Sequence, residues 1–140
     1  MNEAQNILKK YFGYENFRPG QEELIDHILS KEDVLGIMPT GAGKSVCYQV
    51  PAMILDGITI VISPLISLMK DQVDSLNEIG IPATFINSTL SYNNYEQTIE
   101  NIIHNVYKII YVAPERLNSD TFLNLLNKIN ISMITIDEAH

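Results

Sequence analysis

The stretch Met38-Pro39-Thr40-Gly41-Ala42-Gly43-Lys44-Ser45 places two glycines, a lysine and a hydroxyl in the order that cradles a phosphate chain. Gly41 and Gly43 carry no Cβ, so the backbone can wrap an anion with its N–H groups. Lys44 offers a cation to the β- and γ-phosphates, and Ser45 offers a hard oxygen to Mg²⁺. Thr40, Ala42 and Val46 complete the nucleotide-binding stretch. The strict pattern carries glycine where this chain has Met38. A second chemical group lies 93 residues beyond Lys44, where Ile134-Thr135-Ile136 delivers Asp137 and Glu138. Asp137 would hold Mg²⁺, usually through water, and Glu138 would orient or deprotonate an attacking water. Either group alone has a bland reading, as a glycine-rich turn or a solvated acidic pair. Together they predict hydrolysis of a nucleoside triphosphate, with Lys44, Asp137 and Glu138 as the catalytic set.

Such groups work only if strands and helices deliver them. Val34–Met38 reads as a short buried strand ahead of the loop, and Val46–Leu55 as the buried helix after it. Further strands are predicted at Ile58–Ser63, Ala83–Ile86, Ile109–Ala113 and Met133–Asp137. All are rich in Ile and Val and nearly continuous in hydrophobicity, as strands covered on both faces should be. Helices are predicted between them at Pro64–Ile79, about Ser91–Asn105 and Ser119–Lys128. Two more, roughly Asn2–Phe12 and Pro19–Leu29, precede the first strand. In Pro64–Ile79 the apolar stripe is Leu65, Leu68, Met69, Val73, Leu76 and Ile79, with Ser63-Pro64 as start and Gly80 as stop. The alternation predicts a parallel, doubly wound α/β sheet with ligands at the carboxyl ends of its strands.

Composition narrows the partners. The chain has 140 residues, one domain's worth, with 46% hydrophobic and 19% charged residues, which fits an α/β protein and argues against disorder. No apolar run approaches a membrane span of roughly 18 residues, and residues 1–10 lack a signal-peptide core. Cys47 is the only cysteine, so no disulfide or zinc framework is expected here, and a reducing cytoplasm is the natural compartment. The net charge of −8 is awkward for a nucleic-acid binder, whose phosphate contacts need Lys or Arg. His27 and His104 show no metal-ligand spacing and read as surface residues.

The loop together with Asp137-Glu138-Ala139-His140 resembles superfamily 2 helicases. Three further blocks narrow the resemblance to the RecQ family of ATP-dependent DNA helicases. Phe12-Gly13-Tyr14-Glu15-Asn16-Phe17-Arg18-Pro19-Gly20-Gln21 is similar to that family's motif 0, and Ser63 to Val73 to its motif Ia. Tyr111-Val112-Ala113-Pro114-Glu115-Arg116-Leu117 is the third block. The family often has glycine where this chain has Ala42. A glutamine amide can accept from adenine N6 and donate to N7. The resemblance accordingly implies that Gln21 and Arg18 contact the base while Tyr14 stacks on it. It also implies a DNA face formed by Pro64, Ser67, Lys70, Ser88, Thr89 and Arg116.

The implied fold is a RecA-like P-loop domain, incomplete at its carboxyl end, with a helical lead-in at 1–30 and the P-loop-to-DEAH core at 31–140. The implied cofactors are ATP and Mg²⁺, with any zinc in a part beyond these residues. The implied partners are single-stranded and duplex DNA and a second RecA-like domain of the same parent, with no membrane. Activity would be 3′-to-5′ unwinding in repair or recombination, in the cytoplasm or on the nucleoid. Two other readings stay open: an inactive nucleotide- or nucleic-acid-binding fragment, and an RNA helicase of a related group. The strand carrying the sensor motif would follow His140, so Val34–Met38 and Met133–Asp137 are each expected to lack a neighbour.

Overall fold

The computed structural model describes residues 3–30, 45–64, 66–87 and 91–136. The predicted strand Val34–Met38, the loop up to Lys44, Leu65, Ser88, Thr89 and the Asp137–His140 segment lie outside the described residues. The chain forms two compact units, 1–56 and 57–140.

The first unit is helical where described. Helix α1 (Glu3–Ile7) passes into a π-helical stretch, Leu8–Phe12, so the single helix expected here is wound in two ways. Gly13 closes it in the left-handed region, its N–H donating to the Lys9 carbonyl at 3.2 Å. Helix α2 (Gln21–Leu29) begins two residues later than predicted. The reason is Gly20, whose φ of +87° is non-helical and turns the chain into the helix. Helix α3 spans Val46–Ile54, and both α1 and α2 pack against it. Ala4, Leu8, Ile25, Val46 and Val50 form the buried centre, flanked by Phe12 and Phe17.

The second unit is a parallel sheet with helices around it. Its elements are β1 (Ile58–Ile62), α4 (Ile66–Glu78), β2 (Ala83–Ile86), α5 (Tyr92–Ile103), β3 (Ile109–Val112), α6 (Asp120–Leu126) and β4 (Ile131–Ile136). A short 3₁₀ turn, Pro114–Arg116, follows β3. The strand order is β2-β3-β1-β4, all pairs parallel. Ile58 and Ile60 of β1, Ile110 and Val112 of β3 and Ile86 of β2 meet Tyr95 and Ile102 of α5 and Phe122 and Leu125 of α6. Ile109 and Tyr111, alternating with those β3 residues, are also fully buried, as expected of a strand covered on both faces. The caps follow the sequence signals. Ser91 Oγ accepts the Asn94 N–H, Ser119 Oγ accepts the Phe122 N–H, and Gly80 ends α4 at φ +97°.

Three details differ from expectation. Among the described residues of the predicted stripe in and just after α4, Met69, Val73 and Leu76 are buried while Leu68 and Ile79 are exposed. At about 100° per residue, those two lie together on one flank of the face centred on Met69, Val73 and Leu76. Strand β4 starts two residues early, at Ile131, because the Asn130 carbonyl accepts the Ile58 N–H at 2.8 Å and draws the chain alongside β1. The pairing Ile58↔Ile131 is followed by Thr59↔Met133, which leaves Ser132 as an extra residue, a β-bulge. Among the described residues β4 pairs on one edge only, and its Ile134 and Ile136 are exposed. The outer edge of β2 is covered at its start by the Asn77 side chain. Its amide accepts the Ala83 N–H at 2.8 Å and donates to the Ala83 carbonyl at 3.1 Å.

Entry to β1 depends on Gly57. Its φ is +98°, and a Cβ there would stand 2.7 Å from the Asn130 carbonyl oxygen and 2.9 Å from its side-chain nitrogen. Gly57→Ala is therefore expected to destabilise the protein by roughly 1–3 kcal/mol, from backbone strain and displacement of Asn130. Chemical denaturation of wild type and variant measures it, and equal midpoints would contradict this role for Gly57.

Candidate nucleotide and nucleic-acid sites

The first unit holds the residues that the sequence analysis offers as candidate base contacts, Tyr14, Arg18 and Gln21. Arg18 and Gln21 are joined reciprocally: the Arg18 N–H donates to Gln21 Oε1 at 2.7 Å, and the Gln21 N–H donates to the Arg18 carbonyl at 3.0 Å. The two bonds close a tight turn just ahead of α2, whose N-cap is Gly20. Gln21 is 3% exposed, so its amide is held inside the fold and is not a solvated surface group. With Oε1 anchored by a backbone donor, the amide has one defined orientation. Tyr14 is 54% exposed, an open ring able to stack, and the Arg18 side chain is exposed.

Ser45 and Val46 open α3. The Ser45 carbonyl accepts from the Gln49 and Tyr48 N–H groups at 2.9 and 3.2 Å, so the backbone is already helical there. The Ser45 side chain makes no capping bond to its helix, which leaves the hydroxyl oxygen available as a hard ligand suited to Mg²⁺. Val46 is buried and anchors the helix start in the core of the first unit. Thr40, Gly41, Ala42, Gly43 and Lys44 lie outside the described residues, as do Asp137 and Glu138.

In the second unit the residues ascribed to a DNA face follow strand ends. The Ser63 N–H, just past β1, donates to the Val112 carbonyl at 3.1 Å, which sets the path into exposed Pro64. Ser67 is exposed in the first turn of α4. Lys70, one turn on, is exposed and donates to Asp74 Oδ2 at 2.7 Å across one helical turn. The Asp74 carboxylate, first through this hydrogen bond and then through its charge, raises the Lys70 pKa, so the ammonium stays charged throughout the neutral range. An aspartate four residues after a lysine is visible in the sequence and signals such a pair.

Arg116 is placed differently from a free surface cation. It is half-buried, Nη2 donates to the Asn87 carbonyl at 3.0 Å, and its guanidinium carbon lies 4.8 Å from the centre of the Tyr95 ring. Asn87 immediately precedes Ser88 and Thr89, which lie outside the described residues. Tyr95 carried no functional signal in the sequence, because its position beside Arg116 arises only through the β2–β3 pairing and the packing of α5. His27 and His104 are exposed, the latter with Nδ1 2.8 Å from the Glu100 carbonyl.

The DEAD/DEAH box helicase family model matches residues 18–140. The chain is 50% identical to the ATP-dependent DNA helicase RecQ of Bacillus subtilis, covering all of this chain and 24% of that protein. It is 48% identical to the RecQ helicase of Haemophilus influenzae, covering 98% of this chain and 22% of that protein. A putative ATP-dependent RNA helicase of Acanthamoeba polyphaga mimivirus is 45% identical over 97% of this chain and 25% of its own. The chain thus spans about a quarter of the length of these relatives. Among solved structures, the DUF1998 helicase MrfA bound to DNA and AMPPNP superposes with a TM-score of 0.73 at 20% identity, over 97% of this chain and 20% of that one. A hypothetical ATP-dependent RNA helicase from Sulfolobus tokodaii gives 0.71 at 21% identity, over 97% and 41%. Both share the fold, a parallel sheet flanked by helices.

Cys47, in the first turn of α3, is buried, and burial raises its thiol pKa. A raised pKa means less thiolate at neutral pH, and thiolate is the species that reacts. Alkylation at pH 7.5 is therefore expected to be slow in the native protein and rapid in denaturant. Fast native labelling by a maleimide would contradict the packing of α3.

Proposed function

The chain belongs to the DEAD/DEAH box helicase family, and from that premise we propose that it forms the ATP-binding part of the first motor domain of a RecQ-type DNA helicase. The observation that supports this most directly is the buried Gln21 amide, oriented by the Arg18 N–H in the block that resembles motif 0. An amide with one fixed acceptor and one fixed donor edge suits adenine, which presents an amine beside an acceptor nitrogen. Tyr14 would cover the base, and Arg18 would approach it from the same turn. Gly41, Ala42, Gly43 and Lys44 would wrap the phosphates, with Thr40 and Val46 as the neighbours of that loop. Ser45 and Asp137 would hold Mg²⁺, and Glu138 would position water. The bound metal would supply charge neutralisation to the phosphates.

The DNA face in this reading comprises Pro64, Ser67, Lys70, Ser88 and Thr89, with Arg116 beside them. The first turn of α4 offers N–H groups and a hydroxyl to a phosphate, and Lys70 adds charge one turn later. Single-stranded and duplex DNA are the substrates proposed, with 3′-to-5′ unwinding in repair or recombination, in the cytoplasm or on the nucleoid. A second RecA-like domain of the same parent would complete the ATP site and supply an arginine finger, a group worth ~10³–10⁵ in rate. An RNA helicase is the second reading, favoured by the identity to the mimiviral relative. Unwinding of matched DNA and RNA duplexes separates the two.

Lys44→Ala in the full-length protein is expected to abolish ATP turnover with an unchanged melting temperature, since charge complementarity to the phosphates is lost and no core contact is implied. Wild-type turnover in the folded variant would overturn the ATPase reading. Gln21→Ala should weaken ATP and narrow its preference over GTP, because a site built to hydrogen-bond one base rejects another. An unchanged ATP/GTP binding ratio would remove Gln21 as base reader.

For the DNA face, Lys70→Ala should weaken single-stranded DNA and reduce the salt slope by about 0.7, one phosphate's worth. Asp74→Asn should do the reverse, because the carboxylate that holds Lys70 competes with the phosphate. Titrations at several salt concentrations give both slopes. Tighter binding by Lys70→Ala, or weaker by Asp74→Asn, would contradict the assignment.

A further inference from the structure

Residues 13–20 form an irregular strap between the π-helical stretch and α2, and the strap carries Tyr14 and Arg18. Every residue of that run is exposed except Phe17. The backbone of the strap is tied near its two ends. The Gly13 N–H donates to the Lys9 carbonyl, and Arg18 exchanges its two bonds with Gln21. Among the described residues, no backbone–backbone hydrogen bond reaches 14–17. Gly13 and Gly20 bracket the run at φ +76° and +87°, and a Cβ at either would meet nothing within 4 Å, so packing does not press on the strap there. Glu15 lies 3.6 Å from Lys9, but both side chains are more than half exposed, and such a pair holds little. Among the described residues the remaining hold is Phe17, which packs against the core of Ala4, Leu8, Ile25, Val46 and Val50. That core joins the helices on both sides of the strap to the first turns of α3. Phe17 therefore refers the strap to the same packed centre that holds Val46, the residue after Ser45.

We propose that Phe17 is a positioning residue for nucleotide binding, anchoring the strap so that Tyr14 and Arg18 are set in place before ATP arrives. The inference rests on the reading of Tyr14, Arg18 and Gln21 as base contacts, and it adds to them a residue that does not touch the nucleotide. The anchor stands between two of those contacts, three residues after Tyr14 and next to Arg18. An unanchored strap has to be ordered on binding, and each side chain immobilised at that moment subtracts from affinity. Phenylalanine suits the task. A chain kept at the surface needs a large side chain to reach a core, and an aromatic ring gives that contact with two torsions to fix. The strap acts at the base end of the nucleotide, so Phe17 should matter for ATP and not for a ligand that has phosphates and no base. A residue that merely supported α3 would act on phosphate binding as well.

The test uses the full-length protein with Phe17→Ala, Phe17→Leu and Tyr14→Ala, each checked for folding by thermal melt. ATP affinity and turnover are measured, together with the affinity of inorganic triphosphate as a competitor. Hydrogen exchange of the strap amides is followed without nucleotide. Phe17→Ala should bind ATP about three- to tenfold more weakly, the cost of ordering a side chain on binding. Its KM for ATP should rise while the kcat at saturation and the inorganic triphosphate affinity stay unchanged. Its strap amides should exchange faster than in wild type. Phe17→Leu keeps an apolar anchor and should restore most of the ATP affinity. If Phe17→Ala does not fold, Phe17→Val takes its place and should show the same selective loss, smaller in size. Wild-type ATP affinity in the folded truncation overturns the proposal. An equal loss for ATP and inorganic triphosphate also overturns it, since Phe17 would then merely support α3. If Tyr14→Ala weakens ATP and spares inorganic triphosphate while truncation of Phe17 leaves ATP affinity unchanged, only the anchoring role fails. If Tyr14→Ala leaves ATP affinity unchanged, the base contact itself is wrongly placed and the proposal falls with it.

Discussion

The backbone ladder of β1 is the constraint on which the second unit rests. Its residues are hydrogen-bonded on both sides, to β3 through Thr59↔Ile109 to Ile62↔Val112 and to β4 through Thr59↔Met133 to Ile62↔Ile136. A buried peptide group left without a partner costs about as much as a lost hydrogen bond, so a central strand has little freedom to slip. A one-residue slip would also exchange its two faces, sending Ile58 and Ile60 away from Phe122 and Leu125. With that register held, the strands of the unit all end on the same side. The segments that carry Pro64, Asn87 and Arg116 therefore emerge at one edge without any direct contact being needed to bring them there. The polar chemistry of that edge is a by-product of the ladder.

Much of this was legible in the sequence, and the parts that were not share a cause. Ala83–Ile86 stands as a strand with the predicted bounds, and Ile58, Ile109 and the Ser91 and Ser119 caps fall where apolar runs and hydroxyls mark them. Those signals are local, one residue type at one spacing. Gln21 stands out in the sequence only through the block around it, and its burial and bond to the Arg18 N–H are what the structure adds. The π-helical winding of Leu8–Phe12, the extra residue Ser132 and the Tyr95–Arg116 contact were not legible. Each depends on how two segments fit in space, and no periodicity along one segment encodes that. The exposure of Leu68 and Ile79 lies between these cases: helical spacing brings them near the buried face, but the width of that face is set by what packs on it.

A chain with a net charge of −8 has to manage its few cations if it is to meet a polyanion. Lys70 is bonded to Asp74, and Lys9 lies 3.6 Å from Glu15. Such exposed pairs contribute little to stability, but they lower the local field that a distant phosphate sees. Long-range attraction is therefore weak, and association would rely on short-range contacts made after encounter. Neutral donors, such as hydroxyls and helix N–H groups, suit that mode because they carry no penalty against the acidic surface around them.

The bulge at Ser132 has a consequence for how this segment can change length over generations. Ser132 is the surplus residue between Ile131 and Met133, and its Oγ lies 3.5 Å from the Ile58 carbonyl. Loss of that single codon would leave Met133↔Thr59 and all later pairings intact, whereas loss of a codon inside Met133–Ile136 would turn the remaining side chains over. The strand thus has a tolerant joint at its entrance and an intolerant body, so in-frame gains and losses among descendants of this sequence should collect at the Asn130–Ser132 boundary.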